Sequence, residues 1–474
     1  MLTNMATGLQ KQLTWRVTLS SDGGVHAVRD DGRAELLQEV RLSEYTLETR
    51  LRALLPARSN DLLRVALAVY VADRSCRRPT RKDDPSYARW QRRLNLRVPV
   101  SEPDFWSQAH ITDSLGNTLA YYTGDVWDLE FTPLGKERVQ AVQAELFGPN
   151  FSPTRAALFS GGLDSVAGAC VEALDNPAER LLLIGATTGP RLRALQHDVA
   201  SGLRSRLGSQ IEAVLLDLGF QNRRDRAERQ DEVTQRSRGF VFSVIGAVTS
   251  ALAGLDGLVI YENGVGAINL PHTHAQVGVH LTRATNPAAL ERLGDLVSAV
   301  IERSFRFELP FLFDTKACMC ARLPSRAFGE LLGSTISCDG FPQRVAAHPQ
   351  CGLCTSCLLR RLSLHASGLS HFDRRNYRVD VTAPGWNAPT GKQFPLLAMD
   401  FQVERLRIAL GGEKPWSALV REWPELTSIA LGARGLGNDA ASTKEKIVAM
   451  YRQYCLEWDN FPVQMPFSNQ RKAA

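Results

Sequence analysis

The sequence predicts an α/β protein built on a doubly wound parallel sheet, and three features of its 474 residues carry that expectation. Short apolar runs alternate with helical stretches from Thr154 onward, the pattern of parallel strands joined by crossover helices. A glycine-rich turn, Ser160-Gly161-Gly162-Leu163-Asp164-Ser165, falls between the first run and the first helix. Cys338, Cys351, Cys354 and Cys357 then close the segment with metal-ligand spacing. A chain this long calls for two or three domains. Three parts are expected: residues 1–150 as an α+β accessory domain, 151–365 as the α/β core with a metal site at 338–357, and 366–474 as a mainly helical extension.

Taken in order, Trp15–Leu19, Leu94–Val100 and Leu119–Tyr122 read as strands of the first part, and Glu48 to Ala72 as its long helix. The run Arg77-Arg78-Pro79-Thr80-Arg81-Lys82 reads as a solvated loop. In the core, strands are expected at Ala156–Phe159, Leu181–Ile184, Ile211–Leu218 and Leu258–Tyr261. Helices are expected at Leu192–Leu207, Phe240–Leu255 and Ala288–Phe305, with another starting near Lys316. Phe401–Leu410 and Ser442–Trp458 are the helical patterns of the extension.

Composition narrows the function class. Apolar residues at 44% and charged residues at 22% are values of a globular chain with a full core. The net charge is +6, with nine Lys against 47 Arg, and it is small and spread along the chain, so no nucleic-acid partner is expected. The start has no apolar signal segment. The longest apolar run, Gly239 to Tyr261, is interrupted by Ser243, Thr249, Ser250, Gly254 and Asp256, so a buried helix plus strand is expected and no membrane span. Nine cysteines without an export signal point to thiols or metal in the cytoplasm.

The turn carries the sharpest chemistry. Two glycines let the main chain approach a ligand closely, and successive N–H groups can point inward as an anion nest. The following helix offers its positive N-terminus, and the Ser160 and Ser165 hydroxyls add donors. Such a cradle suits pyrophosphate. It lacks the Gly-Lys-Ser/Thr ending of a Walker A loop and is not a GxGxxG fingerprint. A phosphate chain held there needs cations nearby to offset its charge; Lys316, Arg238 and Arg283 are the candidates.

The cysteines form C-x12-C-x2-C-x2-C. Four thiolates complete a closed tetrahedral shell, which fits structural zinc better than a catalytic metal. An iron–sulfur cluster is the rival, but the usual C-x3-C-Pro completion is missing.

The turn resembles the PP-loop of ATP pyrophosphatases, the adenine nucleotide alpha-hydrolase-like fold. That resemblance implies that Asp164 helps to hold a magnesium ion bridging the phosphates of ATP. The turn followed by these cysteines is similar to the QueC-like family, the 7-cyano-7-deazaguanine synthases, over about residues 154–365. Arg236-Ser237-Arg238, Lys316-Ala317, Ser337-Cys338 and Cys351-Gly352-x-Cys354-x-Ser356-Cys357-x-x-Arg360 match in order. The family converts the carboxylate of 7-carboxy-7-deazaguanine to a nitrile through an amide, using two ATP activations and ammonia, and its zinc is structural. By this resemblance, Asp164, Lys316 and Arg283 are the expected catalytic residues, and Ser160–Ser165 with Arg238 the expected ATP site.

The chain departs from the standard enzyme by its flanking parts and by Ala186-Thr187-Thr188-Gly189-Pro190 after the second strand. Its substrate loop reads Glu262-Asn263-Gly264, Asn269 and Thr282-Arg283-Ala284-Thr285-Asn286-Pro287, with His272 and His274 between. Glu262, Asn263 and Asn269 could read a guanine-like edge and Arg283 a carboxylate, and Thr285 is counted with them as substrate-binding. This pattern resembles the defence-associated branch of the family, the QueC-like proteins of Qat and type IV CBASS anti-phage systems. There the amine can be the N-terminus of a partner protein instead of ammonia. The alternatives are a PP-loop enzyme of tRNA thiolation and a non-catalytic zinc module docking nucleic acid or a partner. The oligomeric state, a homodimer included, stays open.

Overall fold

A computed structural model describes residues 11–42 (without 22, 31 and 33), 53–79, 87–135, 152–221, 232, 234, 236–273, 283–341, 349–373 and 377–465. Glu48–Arg52 of the expected helix, Thr80–Lys82 of the basic run, His274 and Thr282 lie outside these residues.

The molecule is a mixed α/β protein. Its strands are β1 (Lys11–Leu19), β2 (Gly24–Arg29), β3 (Ala34–Leu42), β4 (Tyr87–Val100), β5 (Val126–Pro133), β6 (Arg155–Leu158), β7 (Leu181–Thr187), β8 (Ile211–Gln221), β9 (Gly257–Val259) and β10 (Arg306–Glu308). They form one sheet in the order β10-β9-β6-β7-β8-β3-β2-β1-β4-β5. The segment β10-β9-β6-β7-β8 is parallel throughout. β6 and β7 are apolar on both faces, as parallel strands covered by helices on either side must be. Along β7, Leu182 and Ile184 enter one apolar core with Val244 and Leu293, while Leu181 and Leu183 enter a second with Val166 and Leu203.

β8 joins the two halves of the sheet. Its residues Ile211–Asp217 pair with β7, and Leu218–Gln221 pair antiparallel with β3. The sheet is therefore continuous across residue 150, with the N-terminal strands joined to the parallel segment through β3 and β8. A buried charge cluster reinforces the join. Arg92, fully buried, reaches Asp73 and Asp125 at 2.6 Å each, and Arg78 reaches Asp125 at 2.8 Å. Asp73 also accepts hydrogen bonds from the Ser237 amide and hydroxyl at 2.7 and 2.9 Å, one residue before Arg238. Burial alone would raise the Asp73 carboxyl, but Arg92 and the Ser237 amide outweigh it and hold it below its usual range.

Leu119–Tyr122 is not a strand. It ends the helix Ala109–Thr123, where Ile111, Leu115, Leu119 and Tyr122 recur at helical spacing and are all buried. That longer period overrides the local β-propensity of four residues. The expected N-terminal helix starts later, at Ala57 after Pro56, and runs to Ser75. β2, β3, β5 and β10 were not expected. In the extension, the helices Thr390–Leu410 and Ala440–Asn460 are longer than their patterns, and Pro415–Glu422 and Leu426–Gly435 lie between them. Among the described residues no helix is long and apolar enough to cross a membrane.

Candidate functional site

The turn after β6 is built by local chemistry. Gly161 sits at φ 76°, a left-handed conformation that strains any residue with a Cβ. The Gly162 amide donates to Ser160 Oγ at 3.2 Å, and Ser165 Oγ donates back to the Gly162 carbonyl at 3.0 Å. Gly162 is the N-cap of the helix Leu163–Asp175, so the first N–H groups of that helix face the turn without intrahelical partners. The result is a concave array of donors at a helix N-terminus, the geometry that attracts phosphate.

Asp164 lies in the first turn of this helix and is the hub of the site. Its Oδ2 is 2.7 Å from Lys316 Nζ, and its Oδ1 accepts from Asn263 Nδ2 at 2.9 Å. The same Asn263 nitrogen donates to Glu262 Oε1 at 2.9 Å. Lys316 is the first residue of the helix Lys316–Ala321, capped by the Thr315 side chain on the Cys318 amide. Burial works against the Lys316 ammonium, but Asp164 and Glu262 outweigh it and raise its pKa. Burial and the nearby Asp164 charge push the Glu262 carboxyl up to about 8.

These groups open onto a cavity of about 730 Å³. Ser160, Gly162, Leu163, Asp164, Ser165, Arg238, Glu262, Asn269, Thr285 and Lys316 all line it, so most of the residues singled out in the sequence converge. Gly161 lies just behind the wall over Gln196, and Asn263 is buried beneath Asp164. Arg283 does not converge. Its Nη1 donates to the Tyr121 carbonyl at 2.6 Å, and its guanidinium stacks 4.6 Å from the Tyr121 ring centroid. Arg283 therefore ties its loop to the helix Ala109–Thr123, and the expectation that it meets a substrate carboxylate is not matched by this arrangement. Arg238 remains at the wall, 5.4 Å from the Phe242 ring.

The four cysteines meet as expected. Their sulfurs lie within 4.8 Å of one another, with Cys351–Cys357 and Cys338–Cys354 each 4.0 Å apart. Tetrahedral zinc with bonds of about 2.3 Å would hold sulfurs about 3.8 Å apart, so the donor set could bind a metal such as zinc. The Leu353 and Cys354 amides donate to Cys351 Sγ at 3.5 and 3.2 Å, which supports a thiolate there. Gly352 makes this bend possible: it sits at φ 81°, and a Cβ would lie 1.9 Å from the Val379 carbonyl oxygen. Cys338, Asp339 and Phe341 line the cavity as well, so the metal segment forms one of its walls.

No family model matches the chain, and no curated protein does. The chemistry of the site rests on its own residues.

Sequence reasoning missed one wall entirely. Met399, Gln402, Tyr451 and Tyr454, from the C-terminal extension, complete the enclosure. Thr315 Oγ1 donates to Glu457 Oε1 at 2.6 Å in a buried contact, so the last helix also braces the residue before Lys316. The i, i+3 spacing of Tyr451 and Tyr454 placed both on one helix face, but nothing in the sequence tied that face to a turn almost 300 residues earlier.

Proposed function

We propose that this chain is an ATP-dependent adenylating enzyme that activates the carboxylate of 7-carboxy-7-deazaguanine or a close analogue. The carboxylate oxygen attacks the α-phosphorus of ATP, the α–β bridge breaks, and pyrophosphate leaves. An amine then attacks the acyl carbon and displaces AMP, giving an amide. A second activation of that amide oxygen, followed by loss of AMP, would give the nitrile.

The observation that carries this reading is the Asp164–Lys316 pair beside the Ser160–Ser165 turn in one cavity. The turn and the helix N-terminus can grip the departing pyrophosphate. The Lys316 ammonium offsets negative charge where the two anions approach. Asp164 offers an oxygen donor of the kind magnesium takes, beside a second carboxyl whose pKa its charge raises. Magnesium bound there would screen the phosphate charges from the attacking acid. The cavity's volume lies in the range of small-molecule and cofactor sites.

Ammonia is the acceptor we place first. The extra N-terminal strands continue the core sheet, so their presence is not by itself an argument for a protein acceptor. The test is incubation with ATP, magnesium, ammonium and 7-carboxy-7-deazaguanine, followed by mass spectrometry. Acid-dependent pyrophosphate with amide or nitrile product is expected. ATP turnover that ignores the acid, or none at all, would overturn the reading.

A further inference from the structure

We infer that the C-terminal extension supplies the ring-binding wall of this cavity, with the hydroxyls of Tyr451 and Tyr454 as hydrogen-bond partners for a planar heteroaromatic acid. The inference deepens the adenylation reading by assigning the part of the site that selects the acid.

Both tyrosines belong to the helix Ala440–Asn460, and a spacing of three puts them on one face. Each is only about 1% exposed, both line the cavity, and neither hydroxyl has a hydrogen-bond partner among the described residues. Buried hydroxyls are almost always bonded, because an unmade bond leaves the full desolvation penalty standing. Two such groups lie on one helix face at the wall of one cavity. A phenol both donates and accepts, so the pair matches a ring edge that carries an N–H and a carbonyl.

The neighbours fit a flat ring. Met399 brings a polarizable side chain to the cavity, and Phe341, between Cys338 and Cys351 in sequence, lines it as well. Gln402 is held in place by its Nε2 bond to the Leu270 carbonyl at 2.8 Å. The wall is also rigidly joined to the reacting end of the site, because Glu457, one turn beyond Tyr454, holds Thr315 beside Lys316.

The test uses the full chain and the isosteric variants Tyr451→Phe and Tyr454→Phe. Each removes an uncompensated buried hydroxyl, so each is expected to raise the melting temperature of the ligand-free protein by about 1–3 °C. Each should also raise the KM for 7-carboxy-7-deazaguanine about tenfold, the worth of one hydrogen bond, and leave the KM for ATP unchanged. A higher melting temperature with an unchanged KM for the acid would overturn the inference, and so would a lower melting temperature. Calorimetric binding of the same acid separates the two readings. Wild-type binding that the variants weaken, without pyrophosphate release, sustains the ring-binding wall and sinks the adenylation reading. Normal turnover by the variants does the reverse. Absence of wild-type binding to this acid and to purine and indole carboxylates overturns the wall.

Discussion

Asp164 and Lys316 form an ion pair of 2.7 Å in which the side chains are only 14% and 6% exposed, so the proposed magnesium-binding carboxylate is also the counter-ion of a buried ammonium. Removing one partner of a buried pair leaves the other uncompensated, typically at about 3–5 kcal/mol. Asp164→Ala should therefore abolish pyrophosphate release and also lower the denaturation midpoint. The double variant Asp164→Ala/Lys316→Met should regain much of the stability and none of the activity. Chemical denaturation of the three proteins checks the order; equal midpoints for the single and double variants would contradict it.

Glu262 sets a pH dependence of stability. Its pKa rises from the usual 4.5 to about 8 in the folded chain. Between those values the folded chain keeps a proton that the unfolded chain has released, so stability falls as pH rises through that window. Glu262→Gln should flatten the decline. Denaturation series at pH 5, 6.5 and 8, without nucleotide and with chelator, measure it; parallel slopes for both proteins would refute the assignment.

The cysteine cluster should carry folding free energy, because a metal that binds only the native ligand set stabilises the native state. Cys354→Ser is expected to lower bound metal and melting temperature together. Elemental analysis of the purified wild type should find about one zinc per chain and a colourless protein. An absorbing iron–sulfur chromophore, or unchanged melting in the variant, would reject zinc.

Asp73 should matter far beyond its own helix. It takes charge from Arg92 and two hydrogen bonds from Ser237, all without solvent. Asp73→Ala is expected to cost about 3–5 kcal/mol in chemical denaturation, and Asp73→Asn less, since the amide still accepts a bond. A change below about 1 kcal/mol for the alanine variant would show that the cluster is dispensable.

What could be read in advance was local. The Ser160–Ser165 turn and the cysteine spacing are fixed by residues within a few positions of each other, so composition and order suffice to recognise them. The central strands were legible because an apolar run buried on both faces has few other uses. What escaped was long-range. Arg283 looked available until Tyr121, more than 160 residues earlier, claimed its guanidinium. Glu457 and the two tyrosines join the site only through packing of the last helix, for which no spacing rule exists. Leu119–Tyr122 misled because four residues carry β-propensity while fifteen carry the helical period that buries them.

The pairing of β3 with β8 decides what could be cut from this protein. A truncated chain starting at residue 152 would keep the turn, the cysteines and the last helix, yet would expose the Leu218–Gln221 amides and carbonyls as a raw border. It would also strip the Ser237 segment of the carboxylate that holds it. Such a fragment is set to self-associate through that border, and the first third of the sequence is better thought of as a seam than as an attachment.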